Sequence, residues 1–239
     1  MTALLIAGTD TDVGKTFVTI ALAAYWQKHR VHKNSNTPSL LSIFKLMQTG
    51  TGDVETYNRL FTEIAGIEVI EPLRFDAPVA PPIAALKENR EINLGQVWQQ
   101  FNSVCQQSNL VLLETLGGLG SPVTNELIVG NIAADWYLPT ILVVPVKLGA
   151  IANAVANVAL ARSLKINLQG IILNCTQPDA QKDLADLTPI DLIQSLTQVP
   201  ILGTLPYVSE PTDFDYLAKI VSDWDLEIML PQGNLMLQR

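Results

Sequence analysis

The stretch GTDTDVGKT, from Gly8 to Thr16, decides the fold of this chain. It follows a short apolar run, Ala3–Ala7, and opens a helix-period segment that reads from Gly14 to Gln27. In a turn of this kind between a buried strand and a helix, backbone N–H groups converge on phosphate oxygens, with the positive helix N-terminus behind them. Gly14 lets the backbone approach an anion without a Cβ in the way. Lys15 brings a point charge to the β- and γ-phosphates, and the Thr16 hydroxyl suits Mg²⁺. The strict spacing GxxxxGK[ST] fails by one place, because Thr9 stands where the first glycine is expected and Gly8 precedes it. A helix cap by Asp or Thr would explain the turn alone, but not Gly-Lys-Thr in register with both strand and helix.

Beyond the loop, short apolar runs alternate with helix-period segments. Strands are expected at Ala3–Ala7, Leu40–Lys45, Leu110–Glu114, Thr140–Val146, Gln169–Asn174 and Pro200–Thr204. Helices are expected at Gly14–Gln27, Val54–Ala65, Leu94–Gln107, Leu127–Tyr137, Ile151–Leu164 and Pro189–Leu196. The Val/Ile/Leu runs are continuous rather than alternating, the pattern of strands covered on both faces. Strand and helix in alternation predict an α/β fold, a mostly parallel sheet flanked by helices and P-loop NTPase-like. Residues 1–239 are expected to form a single domain. His32–Ser39 and Asp76–Pro82 read as loops, and no internal repeat is visible.

Ligands on an open parallel sheet sit beyond the carboxyl ends of its strands. Four expected strands end in polar residues or lead into them: Gly8–Thr9, Lys45, Glu114 and Asn174. Any one of these could simply be solvated, but four imply a shared site. Glu114 closes the apolar run NLVLLE, where a carboxylate suits Mg²⁺ binding or water activation. Asp53 follows TGTGD and opens the next helix, either as a simple N-cap or as a metal ligand. Lys45 ends LLSIFK and would face the same rim as Lys15, so that the pair could hold two anionic groups at once. Lys147 is a third candidate, or a strand-end lysine reaching for solvent.

Composition narrows the function classes. A net charge of −8 and a pI near 4.7 argue against nucleic acid, which needs clustered Lys and Arg. Cys105 and Cys175 form no CxxC or Cys/His cluster, which argues against a zinc site or a disulfide framework and suits a reducing cytoplasm. The N-terminal apolar run is too short for a signal peptide. Lys147 breaks the apolar stretch Thr140–Leu164, which reads as a buried strand and helix rather than a membrane span. His29 and His32 assemble no Ser-His or Cys-His constellation, so no covalent nucleophile is expected.

These residues resemble the ATP-dependent dethiobiotin synthetases of biotin biosynthesis. GTDT-x-VGKT is similar to that family's phosphate loop, including the residue that defeats the strict pattern. The match continues in FKLMQTG (44–50), LLETLGG (112–118), AADW (133–136), ILVVPVKLGAIANA (141–154), the Asn174 of GIILN and LGTLPY (202–207). The chain departs from the family pattern at Leu46, where the family has Pro, and at Thr115 and Leu116, where it has Gly and Ala. The resemblance implies that 7,8-diaminononanoate and CO₂ form a carbamate, which attacks ATP and is closed by the second amine to the ureido ring. It implies that Lys15 and Lys45 hold the carbamate and the γ-phosphate, with Thr11 on the carbamate. Mg²⁺ would be held by Thr16, Asp53 and Glu114. ATP contacts are implied for Asp12, Val13, Gly14, Lys15, Thr16 and Phe17, for Asp53, Glu114 and Gly117, for Asn174, and for Leu205, Pro206, Tyr207 and Glu210. Thr49 and Gly117 would face the diamine. Gly149 and Asn153 would meet its carboxylate across a homodimer interface.

The segment Ala150–Ala161 supports that dimer independently, because it is apolar on nearly every side and a helix apolar all round is buried all round. Its outer face is therefore expected at a two-fold interface. Two rival functions read less well. Partition and septum-site switch ATPases carry a lysine early in the loop, where this chain has Asp10. Corrin amidotransferases need a further domain with Cys and His, for which nothing after residue 210 is long enough. A degenerate binder without catalysis has only the ETLGG departure in its favour. Asn174–Cys175 lacks the acid that would select guanine, which favours ATP.

Overall fold

The computed structural model describes residues 3–29 and 39–230, so that His32 and most of the His32–Ser39 tract lie outside the described residues. In chain order the elements are β1 (Ala3–Gly8), α1 (Lys15–His29), β2 (Leu41–Lys45), β3 (Gln48–Thr49), α2 (Asp53–Phe61), β4 (Ile67–Ile70), β5 (Arg74–Phe75), α3 (Pro81–Lys87) and α4 (Leu94–Gln107). They continue with β6 (Leu110–Gly118), α5 (Val129–Asp135), β7 (Thr140–Pro145), α6 (Ala150–Ser163), β8 (Leu168–Asn174), α7 (Leu184–Leu187), α8 (Ile190–Thr197), β9 (Ile201–Leu205), α9 (Phe214–Ser222) and α10 (Leu226–Met229).

Among the described residues, seven strands form one parallel sheet in the order β4-β2-β6-β1-β7-β8-β9. Its continuous apolar runs are explained by burial on both faces. In β1, Ala3, Leu5 and Ala7 enter the core on one side and Leu4 and Ile6 the core on the other. β7 divides the same way, with Leu142 and Val144 against Ile141 and Val143. Buried residues of α4, α5 and α6 belong to the first core, and those of α1, α2 and α9 to the second.

All six expected strands are present, and the structure adds to them. β6 does not stop at Glu114 but runs through ETLGG to Gly118. β4, a short and half-exposed edge strand, was not expected; it pairs with β2. α2 ends at Phe61 rather than Ala65, since the chain must turn at Gly66 (φ 83°) to enter β4. α3 begins inside the proline-rich tract read as a loop, with Pro81 in its first turn, where a missing N–H costs nothing. α9 was also missed. It is capped by the Asp213 carboxylate, which accepts from the Tyr216 N–H at 2.9 Å, and it packs along α1.

That packing separates two helices of similar composition. α1 is apolar around most of its circumference because the sheet covers one side and α9 the other. α6 buries only the stripe Ala150, Ala154, Val158 and Ala161, leaving Ala152, Val155, Ala156 and Ala159 exposed in the single chain. Thr140–Leu164 resolves into β7 and α6, and among the described residues no helix is long and apolar enough to cross a membrane.

Candidate functional site

The loop between β1 and α1 is held at both ends. The Thr9 N–H donates to the Val143 carbonyl at 3.0 Å, and Asn174 Nδ2 donates to the Val13 carbonyl at 2.8 Å. Asp12 (φ 56°) and Gly14 (φ 85°) both take left-handed backbone angles, which turn successive N–H groups towards a common point. An aspartate tolerates that region, and Gly14 has no substitute. A Cβ at position 14 would stand 1.9 Å from Asn174 Nδ2. Strand end and loop therefore interlock, and the sequence needed glycine for contact as well as for conformation.

Beneath the loop lies a compact cluster of charge. The register of β2 on β6 sets Lys45 opposite Glu114. The buried Lys45 ammonium donates to Glu114 Oε1 at 2.7 Å, to Asp53 Oδ2, and to the Thr115 carbonyl at 3.3 Å. The Thr16 hydroxyl lies 2.6 Å from Asp53 Oδ1 and 3.2 Å from Glu114 Oε1, sharing one proton between them. Asp53 is the first residue of α2 and not its cap. Its carboxylate faces the cluster rather than capping its own helix. Lys15 bends back so that its ammonium donates to the Asp10 carbonyl at 3.2 Å.

Burial is the largest influence on all four charged groups. It lowers Lys15, against the pull of Glu114. It would lower Lys45 too, but the Glu114 and Asp53 carboxylates outweigh it and hold Lys45 above the usual lysine value. For Asp53 burial is outweighed by Lys45, with Thr16 and Lys15 helping, and its carboxyl sits below the ordinary range. Glu114 has no solvent exposure, and burial pushes its carboxyl up while Lys45 pulls the other way. Ion pairing thus keeps Lys45 and Asp53 charged.

A cavity of about 890 Å³ opens above this cluster. Its wall contains the expected Thr11, Asp12, Gly14, Lys15, Thr16 and Phe17, with Lys45, Thr49, Asp53 and Glu114 on the next strands and loops and Asn174, Pro206 and Tyr207 at the far end. Gly117 (φ 51°) stands beside Thr11, whose Oγ1 would be 3.6 Å from an added Cβ. Other expected residues stand off this wall. The Val13 side chain is in the core, and its carbonyl is tied into the loop's framework. Leu205 is buried in β9, and its carbonyl accepts from the Cys175 N–H at 2.9 Å, so it is not part of the wall. Glu210 is also outside the wall, its carboxylate 3.6 Å from Arg59. Lys147 is exposed and outside it as well. Gly149 and Asn153 are exposed at the start of α6 and do not reach this cavity in one chain.

Several participants were not foreseen. Tyr57 is fully buried and donates its hydroxyl to Glu114 Oε2. Thr19 Oγ1 lies 3.3 Å from the same oxygen and 3.0 Å from the Lys15 carbonyl. Gln48 ties β3 to α2: its Oε1 accepts from the Val54 N–H at 3.0 Å, and its Nε2 donates to Glu55 at 2.9 Å. Tyr57 was findable, since it lies one helical turn beyond Asp53. The departures at 46 and 115 are also accounted for. Leu46 donates its N–H to the Glu114 carbonyl at 3.0 Å, a bond that a proline could not make, and Thr115 Oγ1 donates to the Ile6 carbonyl at 3.2 Å.

The donor set of Thr16, Asp53 and Glu114 is one hydroxyl and two carboxylates within reach of one another, which is hard-oxygen chemistry suited to Mg²⁺. Two lysines beside it, under a converging backbone, suit an anion with several negative oxygens.

Comparison with known proteins gives consistent findings. A family model described as "AAA domain" matches residues 2–214. The ATP-dependent dethiobiotin synthetase BioD of Gloeothece citriformis (strain PCC 7424) is 56% identical over 231 residues, covering 97% of this chain and 100% of the relative. The protein of the same name from Crocosphaera subtropica (strain ATCC 51142 / BH68) is 56% identical over 229 residues, covering 96% and 100%. Among solved structures, a ParA family ATPase from Chlorobium tepidum TLS superposes with a TM-score of 0.59 over 94% of this chain and 97% of that one. At 13% identity, this last likeness shows the P-loop fold alone.

Proposed function

The chain belongs to the ATP-dependent dethiobiotin synthetase family, closing the ring of dethiobiotin from 7,8-diaminononanoate with ATP, and we propose how this site does so. One amine of the diamine takes up CO₂ and loses a proton to become a carbamate. A carbamate oxygen attacks the γ-phosphorus of ATP, and ADP leaves. The second amine then attacks the carbonyl carbon of the carbamic–phosphoric anhydride, expelling phosphate as the ureido ring closes. No covalent nucleophile is required, only positioning and stabilisation of charge.

The observation that carries this reading is the convergence of Lys15, Lys45, Thr16, Asp53 and Glu114 on the rim of one cavity. The loop amides and Lys15 hold the β/γ-phosphates. All three Lys45 protons are engaged, and the longest bond, at 3.3 Å to the Thr115 carbonyl, is the one a carbamate oxygen takes over. Thr11 contacts the carbamate, Thr49 and Gly117 face the diamine, and Asn174 with Pro206 flanks the adenine. Thr16, Asp53 and Glu114 hold Mg²⁺, which when bound neutralises charge on the phosphate oxygens. Purified protein given diaminononanoate, bicarbonate and MgATP is expected to form dethiobiotin, ADP and phosphate in equal amounts. ATP hydrolysis with no dethiobiotin would sink the proposal.

The enzyme is read as a single cytoplasmic domain acting on small molecules, a role that its two free cysteines and acidic charge support. A homodimer completes the site. The exposed alanine face of α6 is its interface, and the amides at Gly149–Asn153 meet the substrate carboxylate of the neighbouring subunit. Sedimentation at micromolar concentration is expected to give twice the 26.1 kDa chain mass. Ala156→Arg, on the open face, is expected to give monomers that bind nucleotide but turn over poorly. Ala154 and Ala161 cannot serve for this test, because they face the protein's own core. A fully active Ala156→Arg monomer would remove both the interface and the shared site.

A further inference from the structure

Glu114 is the most enclosed charge in the molecule's active cluster, and its two oxygens have different neighbours. Oε1 faces the reacting side, with Lys45 at 2.7 Å and Thr16 at 3.2 Å. Oε2 faces inward, towards Thr19 and Tyr57. The Thr19 proton is divided, because the Lys15 carbonyl at 3.0 Å is nearer to it than Oε2 at 3.3 Å. The Tyr57 hydroxyl has Glu114 as its hydrogen-bond acceptor, and the tyrosine is wholly buried. A buried phenol needs a partner for its polar end, and here that end reaches the carboxylate directly.

We propose that Tyr57 is a positioning residue for the metal site: its hydroxyl anchors Glu114 Oε2 so that Oε1 is presented to Mg²⁺ and Lys45. The helical spacing explains why this residue can do so. Asp53 and Tyr57 are one turn apart on the same face of α2, so one rigid element supplies a carboxylate to the cluster and fixes the rotamer of the other. The two carboxylates are thereby set at a constant separation, which a small octahedral cation demands more strictly than a lysine does. Groups that orient metal ligands in this way typically change metal affinity by about 10–100-fold when removed.

The inference rests on the Mg²⁺ reading of Thr16, Asp53 and Glu114, and the test separates the two. Mn²⁺ binding is measured by paramagnetic resonance in the presence of ADP, without turnover, for wild type, Tyr57→Phe and Asp53→Asn, with thermal unfolding in parallel. Tyr57→Phe, which removes one oxygen and keeps the ring, is expected to weaken Mn²⁺ by about tenfold. In turnover it is expected to raise the Mg²⁺ concentration needed for half-maximal rate, with the KM for the diamine unchanged. Unchanged Mn²⁺ affinity in Tyr57→Phe, alongside a weakened Asp53→Asn, overturns the positioning role and leaves Tyr57 as packing. Unchanged affinity in both variants overturns the metal reading, and the inference falls with it. If Tyr57→Phe is unfolded at the assay temperature, the titration is run below its unfolding midpoint, where the same loss of Mn²⁺ affinity is expected and wild-type affinity overturns the role.

Discussion

Lys45→Gln is expected to turn over diaminononanoate about a thousandfold more slowly than wild type while binding nucleotide within a few-fold. A single preorganised donor aimed at developing charge is worth about 10²–10³ in rate, and Lys45 adds a full positive charge in a site shielded from water. Its ammonium is almost entirely buried, is held above its ordinary pKa by Glu114 and Asp53, and is positioned by three acceptors. Glutamine fills a similar volume and keeps donors, but brings no charge to the carbamate or to the transferring phosphoryl group. Nucleotide affinity is expected to be spared, because the proposed phosphate contacts are the loop amides and Lys15. Lys15→Gln is therefore expected to damage both binding and turnover. Titration with ADP and steady-state kinetics on the two variants check this division of roles, and equal loss of nucleotide affinity in both would abolish it.

Glu114→Gln is expected to lose stability as well as activity. Removing Glu114 from this buried, hydrogen-bonded ion pair leaves Lys45 with the partly exposed Asp53 as its carboxylate partner, at a cost of about 3 kcal/mol. For a chain of this length that lowers the unfolding midpoint by roughly 6–12 °C. The side chain is fully buried, Lys45 is 2.7 Å away, and Thr16, Thr19 and Tyr57 all direct hydroxyls at its oxygens. A neutral amide cannot accept from all of them, and its NH₂ opposes donors with a donor. Asp53→Asn provides the contrast. Its side chain is 39% exposed, so solvent compensates and a smaller stability loss is expected, with the proposed Mg²⁺ dependence impaired in both variants. Thermal unfolding and Mg²⁺ titration of the two proteins check the prediction. An unfolding midpoint for Glu114→Gln equal to that of wild type would show that the pair is not held charged in the fold.

The expected strands and the rim residues were legible for one physical reason. A strand buried on both faces must be continuously apolar, so a polar residue closing the apolar run lies towards the carboxyl end of the sheet. That placed Lys45, Glu114 and Asn174 at the end where Gly8–Thr16 also begins. Other elements left no such mark. The short edge strand β4 is half exposed and has no continuous run, and α3 opens on prolines that also punctuate loops. Glu210 lies beyond β9 with its carboxylate 3.6 Å from Arg59 on α2, a placement set by tertiary packing that no local pattern records.

The sequence by itself determined which polar residues gather at the carboxyl ends of the strands beside the phosphate loop, because strand, turn and helix signals are local and Gly-Lys-Thr sits where they meet. Only the tertiary structure decided how those residues face one another. The register of β2 against β6 put Lys45 opposite Glu114, and α2 returned Asp53 and Tyr57 to the same pair. It also decided that α1 is covered by α9 while α6 keeps an open face, although both helices read as apolar all round. Apolar periodicity records that a face must be buried; what buries it is set by segments far along the chain, whose placement no local pattern contains.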